Sequence, residues 1–484
     1  MHDFSRQVVV IGGGVAGLNM ASVLSRLGYK VTIVEKDNHL GGNCLHYSCV
    51  PSKAFIKAAQ MVSAANNMKQ FGIHCSVDVD FAKIMSYVKG IVGTIEKHES
   101  PVRFKSYGID VMYGHAHFVG EHMLSVDNKL IPAEKFIIAT GSRPYIPSIK
   151  GLEQVKYCTT ENILELEQQP KHLLIIGGGT AGIEYAQAFA CLGTKVTIVE
   201  SKAEFMGHLD RDQMNVLKDQ MQRQGVEFIS SVSSEEINYT DDGAIQLKVA
   251  ITDQTGTIDN KHAKTIIGDA LLIATGRVPQ LDALGLDLLG IEYNENGINV
   301  DQYLRTSRKH IYAIGDVVNS PFKLTHISEY HASIVVSNLA FKFPKKLNYH
   351  AVPRVMYTNP EWAQVGLTEK MANEQRINHQ IVYYSLASLD RAIISNQISG
   401  QVKLIVRRNK LLGASILSPH AGELIHELTL AMQNNVSLSK IAQTIHAYPT
   451  WSQMHKKAIG QYFAPKFYSG PTKFLIKLLG LIKK

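Results

Sequence analysis

Val8-Val9-Val10-Ile11-Gly12-Gly13-Gly14-Val15-Ala16-Gly17 reads as an apolar strand, a glycine-rich turn and the start of a helix that runs to about Leu27. Lys30-Val31-Thr32-Ile33-Val34-Glu35 follows as a second strand closed by an acid. The same succession returns 165 residues later, as Leu173-Leu174-Ile175-Ile176, Gly177-Gly178-Gly179-Thr180-Ala181-Gly182, a helical run and Lys195-Val196-Thr197-Ile198-Val199-Glu200. One such turn is weak evidence of a ligand. Two copies in strand–turn–helix–strand context predict an α/β protein with two Rossmann-like dinucleotide-binding units. In each turn the first glycine (Gly12, Gly177) permits the tight bend. The second (Gly14, Gly179) lets backbone approach a pyrophosphate, and the third (Gly17, Gly182) lets the helix pack on its strand. The helix N-terminus offers unpaired N–H groups to the phosphates, and Glu35 and Glu200 are placed to accept from ribose hydroxyls.

A second repeat supports the first. Ala139-Thr140-Gly141-Ser142-Arg143-Pro144 and Ala274-Thr275-Gly276-Arg277-Val278-Pro279 both follow apolar strands, and each closes one nucleotide unit. Thr140, Gly141, Ser142 and Gly276 are therefore candidate cofactor contacts. Gly315-Asp316 follows the strand Ile311-Tyr312-Ala313-Ile314. A carboxylate just beyond a strand's C-terminal end suits a ligand hydroxyl.

Composition sets the bounds. A chain of 484 residues, 45% hydrophobic and 19% charged, carries an ordinary globular core of several domains. No apolar run approaches the ~20 residues of a membrane span. The N-terminus runs straight into a strand without a leader, so a cytoplasmic protein is expected. Net charge is +8, but residues 451–484 hold seven lysines and no acid. The excess is concentrated there, and a uniformly basic nucleic-acid binder is not indicated.

The five cysteines are Cys44, Cys49, Cys75, Cys158 and Cys191. An odd number in a chain without a leader argues against a structural disulfide framework. Cys44 and Cys49 lie close together in Gly41-Gly42-Asn43-Cys44-Leu45-His46-Tyr47-Ser48-Cys49-Val50-Pro51-Ser52-Lys53. Pro51 suits a helix's first turn, and residues 52–65 read as helix, which puts both thiols near an N-terminus that favours thiolate. A zinc site would need two further ligands and no second cysteine pair exists, so no metal site is expected.

With these motifs assembled, residues 5–465 resemble the class I pyridine nucleotide–disulfide oxidoreductases, the family of dihydrolipoamide dehydrogenase, glutathione reductase and mercuric reductase. The resemblance implies FAD at the first repeat, including Gly42, and a nicotinamide cofactor at the second, with NADH preferred because Glu200 would repel a 2′-phosphate. It implies an FAD-binding region (1–150), an NAD(P)-binding region (151–270), a central region (271–348) and an α+β dimerisation region (349–465) that makes a homodimer. It makes Cys49 the flavin-proximal cysteine and Cys44 the interchange cysteine. Lys53 stands near the flavin with Glu184 as its pair, and Asp316 binds the ribitol chain. Leu324-Thr325-His326 aims a helix N-terminus at the flavin, and Ala116 meets the adenine through its backbone.

The family pattern is broken at one place. Disulfide reductases of this family end the interface domain with His-Pro-Thr-x-x-Glu, whose histidine is the acid–base partner of the interchange thiol across the dimer. Here the stretch is His446-Ala447-Tyr448-Pro449-Thr450-Trp451-Ser452-Gln453. Tyr448 takes the histidine position and Gln453 the glutamate position. An imidazole (pKa about 6.5) exchanges a proton near neutrality, and a phenol (about 10) does not. His446 stands two residues earlier; a turn there would let it substitute, but it is not expected to replace the missing histidine. A tyrosine here is similar to mercuric reductase, but no cysteine follows Cys191 and no heavy-metal domain precedes residue 1. Asn43, His46, Tyr47 and Ser48 also depart from the commonest active-site wording. The expected function is an FAD-dependent NAD(P)H oxidoreductase with a redox-active disulfide and an unidentified small-molecule or disulfide acceptor. The alternatives are a metal-ion or quinone reductase, or a flavin-binding partner or sensor without turnover. The basic tail, residues 466–484, reads as an amphipathic helix that either lies on a membrane surface or packs as a structural extension.

Overall fold

The computed structural model describes residues 6–207, 209–252 and 258–482. Aliphatic runs without polar alternation form strands buried on both faces, and the strands of the repeat do this. Gln7–Ile11 is the middle strand of a five-stranded sheet in the order Ile311–Ala313, Lys135–Ile138, Gln7–Ile11, Lys30–Glu35, Ile109–Tyr113, with every pairing parallel. Val8 and Val10 pack on one side with Leu18, Ala21 and Leu24 of the helix Val15–Arg26. Val9 and Ile11 pack on the other with Phe118, Leu124 and Phe136. Phe118 and Leu124 come from a three-stranded antiparallel sheet, Ala116–Gly120, Met123–Val126 and Lys129–Pro132.

The chain divides into two compact units. The first is Met1–Gly182, Ser234–Ala250 and Asn260–Leu347; the second is Ile183–Ser233, Ile251–Asp259 and Asn348–Lys484. The first unit holds the sheet above and a second set of parallel strands, His172–Ile176, Ala270–Ile273 and Cys158–Thr159. The two closing motifs also pair with each other: Ser142–Pro144 runs antiparallel to Arg277–Pro279.

The second unit contains the parallel pair Lys195–Val199 and Val226–Ile229. It also contains a five-stranded antiparallel sheet in the order Arg354–Met356, Glu361–Gly366, Lys410–Ser418, Gln401–Arg407, Gln380–Ser385. Ala421–Gln433 and Gln453–Phe467 cover it through Ile425, Leu428, Met454, Ala458 and Ile459. A lysine is buried where Gln401–Arg407 meets the helix Arg211–Arg223. The Lys403 side chain is 3% exposed and meets Asp210 at 3.0 Å, Asp212 at 3.5 Å and Glu369. Ser415 donates to Asp210 at 2.7 Å, and Gln213 bridges Trp362 Nε1 (2.8 Å) and the Ser415 carbonyl (3.3 Å). Burial opposes the charge on Lys403, but hydrogen bonds to Glu369 and Asp210 hold its pKa above the ordinary lysine range.

Removing one partner of a buried ion pair strands the other, at a cost of about 3 kcal/mol. Lys403→Met should therefore lower the melting temperature of the flavin-loaded protein by roughly 5–10 °C. A melting temperature equal to that of the unaltered protein would show that the cluster contributes nothing.

Candidate active site

The first glycine turn is set by backbone contact. Gly12 has φ +110°, and a Cβ there would strike the Ala139 carbonyl; one on Gly17 would strike the Gly12 carbonyl. Gly177 and Gly182 repeat this relation with Ala274 and Gly177. Gly42 approaches Gly14 so closely that its Cβ would lie 2.9 Å from the Gly14 Cα, so a side chain on Gly42 would displace the turn that carries the cysteine pair.

Gly12, Gly14 and Gly42 line a cavity of about 460 Å³, together with Glu35, Asn43, Ala116, Thr140, Gly141 and Ser142. Glu35 is 7% exposed. Its Oε2 accepts from the Gly13 N–H at 2.6 Å and its Oε1 from the Asp37 N–H at 3.0 Å. A carboxylate has about four acceptor sites, so capacity remains for a ribose hydroxyl. Asn43 Oδ1 is buried without a partner among the described residues. Open glycine backbone at a helix N-terminus, a carboxylate at the strand end and an orphaned amide oxygen fit an elongated dinucleotide such as FAD.

The Gly315-Asp316 loop is held from three sides. Ser142 donates to Asp316 Oδ2 at 2.8 Å, and Arg277 Nε donates to Ser142 Oγ at 2.9 Å. Arg277 also pairs with Glu161 at 2.8 Å. Lys323 Nζ donates to the carbonyls of Asn296 (2.9 Å), Asp316 (2.6 Å) and Val318 (2.7 Å), and burial lowers its pKa. His331 is fully buried and its Nδ1 accepts the Gly315 N–H at 3.1 Å. Burial, and then the charge of Lys323, push this imidazole down to about 4, so it stays neutral and keeps that acceptor.

Asp316 and Ser142 are candidates that the sequence itself names, whereas Arg277, Lys323 and His331, which hold them in place, are not. The paired closing motifs were the available signal for Arg277. The other two carry no local signature.

The cysteines lie on two helices rather than at one N-terminus. Cys44 sits within the five-residue helix Gly42–His46, and Cys49 is the first residue of Cys49–Asn66. The helix thus begins earlier than Ser52, because Pro51 is tolerated in its first turn. Both cysteines are free, half-buried and hydrogen-bonded to each other. The Cys49 sulfur also meets Thr325 Oγ1 at 3.1 Å and Ser48 Oγ at 3.6 Å. Thr325 is the first residue of the helix Thr325–Ala340, with Leu324 as its N-cap and His326 second.

The hydrogen bond from Cys44 is the main cause of a Cys49 pKa lowered to about 5. Burial works against it, while Thr325, Ser48 and the charge of Lys53 assist. Cys44 is pushed up, first by that same hydrogen bond and then by burial. The pair therefore shares one proton, held on Cys44, with the thiolate on Cys49.

In the second unit, Glu184 is buried and accepts from the Tyr357 N–H at 2.8 Å. Glu200 Oε1 accepts from the Lys202 N–H at 3.0 Å and Ser201 Oγ at 3.1 Å. Tyr448 is 68% exposed. The charge of Asp390, and a hydrogen bond to it, raise the phenol's pKa further. Gln453 opens the helix Gln453–Phe467. The His446 side chain is 5% exposed, and both its nitrogens face acceptors: the Thr444 carbonyl at 3.1 Å and Glu427 Oε1 at 3.0 Å. His455 Nδ1 meets the other Glu427 oxygen at 2.7 Å. The imidazole nearest the broken motif is thus engaged in structure through both ring nitrogens.

Residues 6–332 match the family model of the pyridine nucleotide-disulphide oxidoreductases, and residues 352–459 match that family's dimerisation domain. The chain is 35% identical to dihydrolipoyl dehydrogenase of Geobacillus stearothermophilus over 93% of its own length and 95% of the relative's. It is 30% identical to a mercuric reductase of Staphylococcus aureus, over 94% and 83%. Among solved structures it is similar to a Cu(II) complex of the HOCl-induced flavoprotein disulfide reductase RclA from Escherichia coli, at 28% identity and TM-score 0.83, covering 95% of this chain and all of that one. The chain belongs to the pyridine nucleotide–disulphide oxidoreductases: it is a flavoprotein enzyme that uses FAD and NAD(P)H, with a redox-active cysteine pair and the family's dimerisation domain.

Proposed function

We propose that this enzyme takes electrons from NADH and delivers them, through Cys49 and Cys44, to a small acceptor that needs no proton from the dimer end. A thiophilic metal ion is favoured over a disulfide. The observation that carries this is the proton inventory: the thiol pair holds its own proton, while Tyr448 is tied to Asp390 and His446 to Glu427. The mercuric reductases and the Cu(II) complex of RclA among its relatives support the same choice.

FAD, when bound, supplies the two-electron relay between nicotinamide and disulfide. Gly12, Gly14, Gly17 and Gly42 give it backbone to lie against, Glu35 takes a ribose hydroxyl, Asp316 the ribitol chain and Ala116 the adenine. Thr140, Gly141, Ser142 and the Leu324-Thr325-His326 turn complete the wall. Lys53, with Glu184, adds positive charge near the thiolate. Gly177, Gly179, Gly182, Glu200 and Gly276 serve the nicotinamide cofactor, and the division at 150, 270, 348 and 465 follows these roles.

The electrons balance without an outside acid. NADH and the Cys44–Cys49 disulfide yield NAD⁺, the Cys49 thiolate and the Cys44 thiol. Two cupric ions then take one electron each, the disulfide re-forms, and the Cys44 proton passes to water. Among the described residues no group of three His, Cys, Asp or Glu is gathered to hold a metal, so such an ion would be met as a substrate by the two thiols. We place the enzyme in the cytoplasm, where thiols are kept reduced, as a homodimer. A lipid-soluble quinone is the second reading, favoured by the exposed basic helix Gly470–Ile482, which would hold the enzyme at a membrane's inner face.

In the two-electron-reduced enzyme, Cys44→Ser should keep the long-wavelength absorbance of a thiolate against flavin, and Cys49→Ser should lose it. The absorbance should vanish on acidification with a midpoint near 5, since Cys49 is lowered to about 5. Thr325→Val removes a hydroxyl that favours the thiolate, so that midpoint should rise. Identical spectra for the two cysteine variants would refute the assignment of roles.

The specificity constant should favour NADH over NADPH, and Glu200→Gln should narrow the ratio roughly tenfold by removing charge repulsion. A higher constant for NADPH in the unaltered enzyme would overturn the role of Glu200.

Turnover with dihydrolipoamide or glutathione disulfide should lag that of the familiar enzymes by roughly 10²–10⁴-fold, the worth of one acid–base group. Cupric ion reduction should proceed, and Tyr448→His with Gln453→Glu should raise disulfide turnover. Disulfide rates equal to those enzymes' would sink the proposal.

A further inference from the structure

We infer that the helix Gly470–Ile482 is a docking element for an anionic lipid surface, an inference that rests on this segment and not on the identity of the acceptor. Every residue from Lys473 to Leu479 is exposed. Phe474 is 68% exposed, Ile476 63% and Leu479 53%, and Phe467 and Tyr468 before them are 65% and 73% exposed. These apolar residues are therefore not buried on their own protomer, and packing as an extension within the chain is ruled out for these positions. An isolated helix of this length is marginal in water, so an apolar surface must complete it.

Charge selects the surface. Lys473 and Lys477 stand one turn apart, on the narrow side of an otherwise apolar cylinder, and Lys466 precedes them. Residues 451–484 contain no acid, so nothing in the segment opposes an anionic partner. Lys483 and Lys484, which extend the basic pattern, lie outside the described residues.

Length and attachment select the pose. Thirteen residues make about 20 Å of helix, and no described helix is long and apolar enough to cross a membrane. A helix in the plane of the interface buries its apolar side among acyl chains while its lysines reach the headgroups. The elbow before it is fixed: Ser469 Oγ and Thr472 Oγ1 each donate to the Lys466 carbonyl at 2.8 Å, and the Lys473 N–H donates to the Ser469 carbonyl at 3.0 Å. The arm is thus attached at a defined joint.

Flotation of the full flavin-loaded chain tests this, with vesicles of phosphatidylcholine alone and of phosphatidylcholine mixed with phosphatidylglycerol. The full chain should float with the mixed vesicles at low salt and be released at high salt. A chain truncated after Gly470, and a Leu475→Glu/Leu479→Glu variant, should stay at the bottom. Lys473→Gln with Lys477→Gln should bind roughly 30-fold more weakly, from about two lost lysine attractions. NADH-dependent ferricyanide reduction should be equal in all of them, which separates failure of this inference from failure of the site reading. Flotation of the truncated chain, equal flotation on pure phosphatidylcholine, or no flotation of the full chain overturns the proposal. So does a loss of oligomeric mass on truncation, measured by light scattering, which would assign the helix to a second copy of the chain.

Discussion

A single proton shared between Cys44 and Cys49 is the constraint on which the site depends. Two thiols in contact cannot both ionise, so the surroundings decide which one does. Thr325 and Ser48 both offer hydroxyls to Cys49, and Lys53 adds its charge. Cys44 keeps the proton because its hydrogen bond to Cys49 is useful only while it is protonated. In the proposed mechanism the asymmetry makes one sulfur an electron-rich neighbour for the flavin and the other the group that meets an acceptor.

That asymmetry is built from a long-range fold. Thr325 is 276 residues from Cys49 and reaches it because the strand Ile311–Ala313 joins the sheet built on Gln7–Ile11. The loop between them is stapled by the half-buried Lys323 and the buried His331, both polar groups with satisfied partners. Buried groups of this kind are costly unless paired. Here they set the positions of Asp316 and of the helix that carries Thr325.

The fold was legible because it is repeated. Each strand–turn–helix unit carries its own glycine and carboxylate signals, and the copy confirms the reading. The cysteine pair and the loss of imidazole at Tyr448 were also legible, being local. Lys323 and His331 were not, since an isolated lysine or histidine has no pattern to announce its backbone partner, and Arg277 showed only as part of the repeated closing motif. The sequence equally showed His446 two residues from the broken motif, but only the structure shows Glu427 taking it. The tail left two readings open in the sequence, and the structure adds that the side chains of Lys473 to Leu479 are exposed.

The most direct test of the central claim is an anaerobic titration of the flavin-loaded protein with NADH, followed by absorbance. Because the disulfide accepts the electrons and Cys49 emerges as thiolate, one equivalent should leave the main flavin band largely intact and add a long-wavelength shoulder. Bleaching of the flavin band by that first equivalent, with no shoulder, would mean that the electrons stop at the cofactor and that the polarised cysteine pair does not carry them.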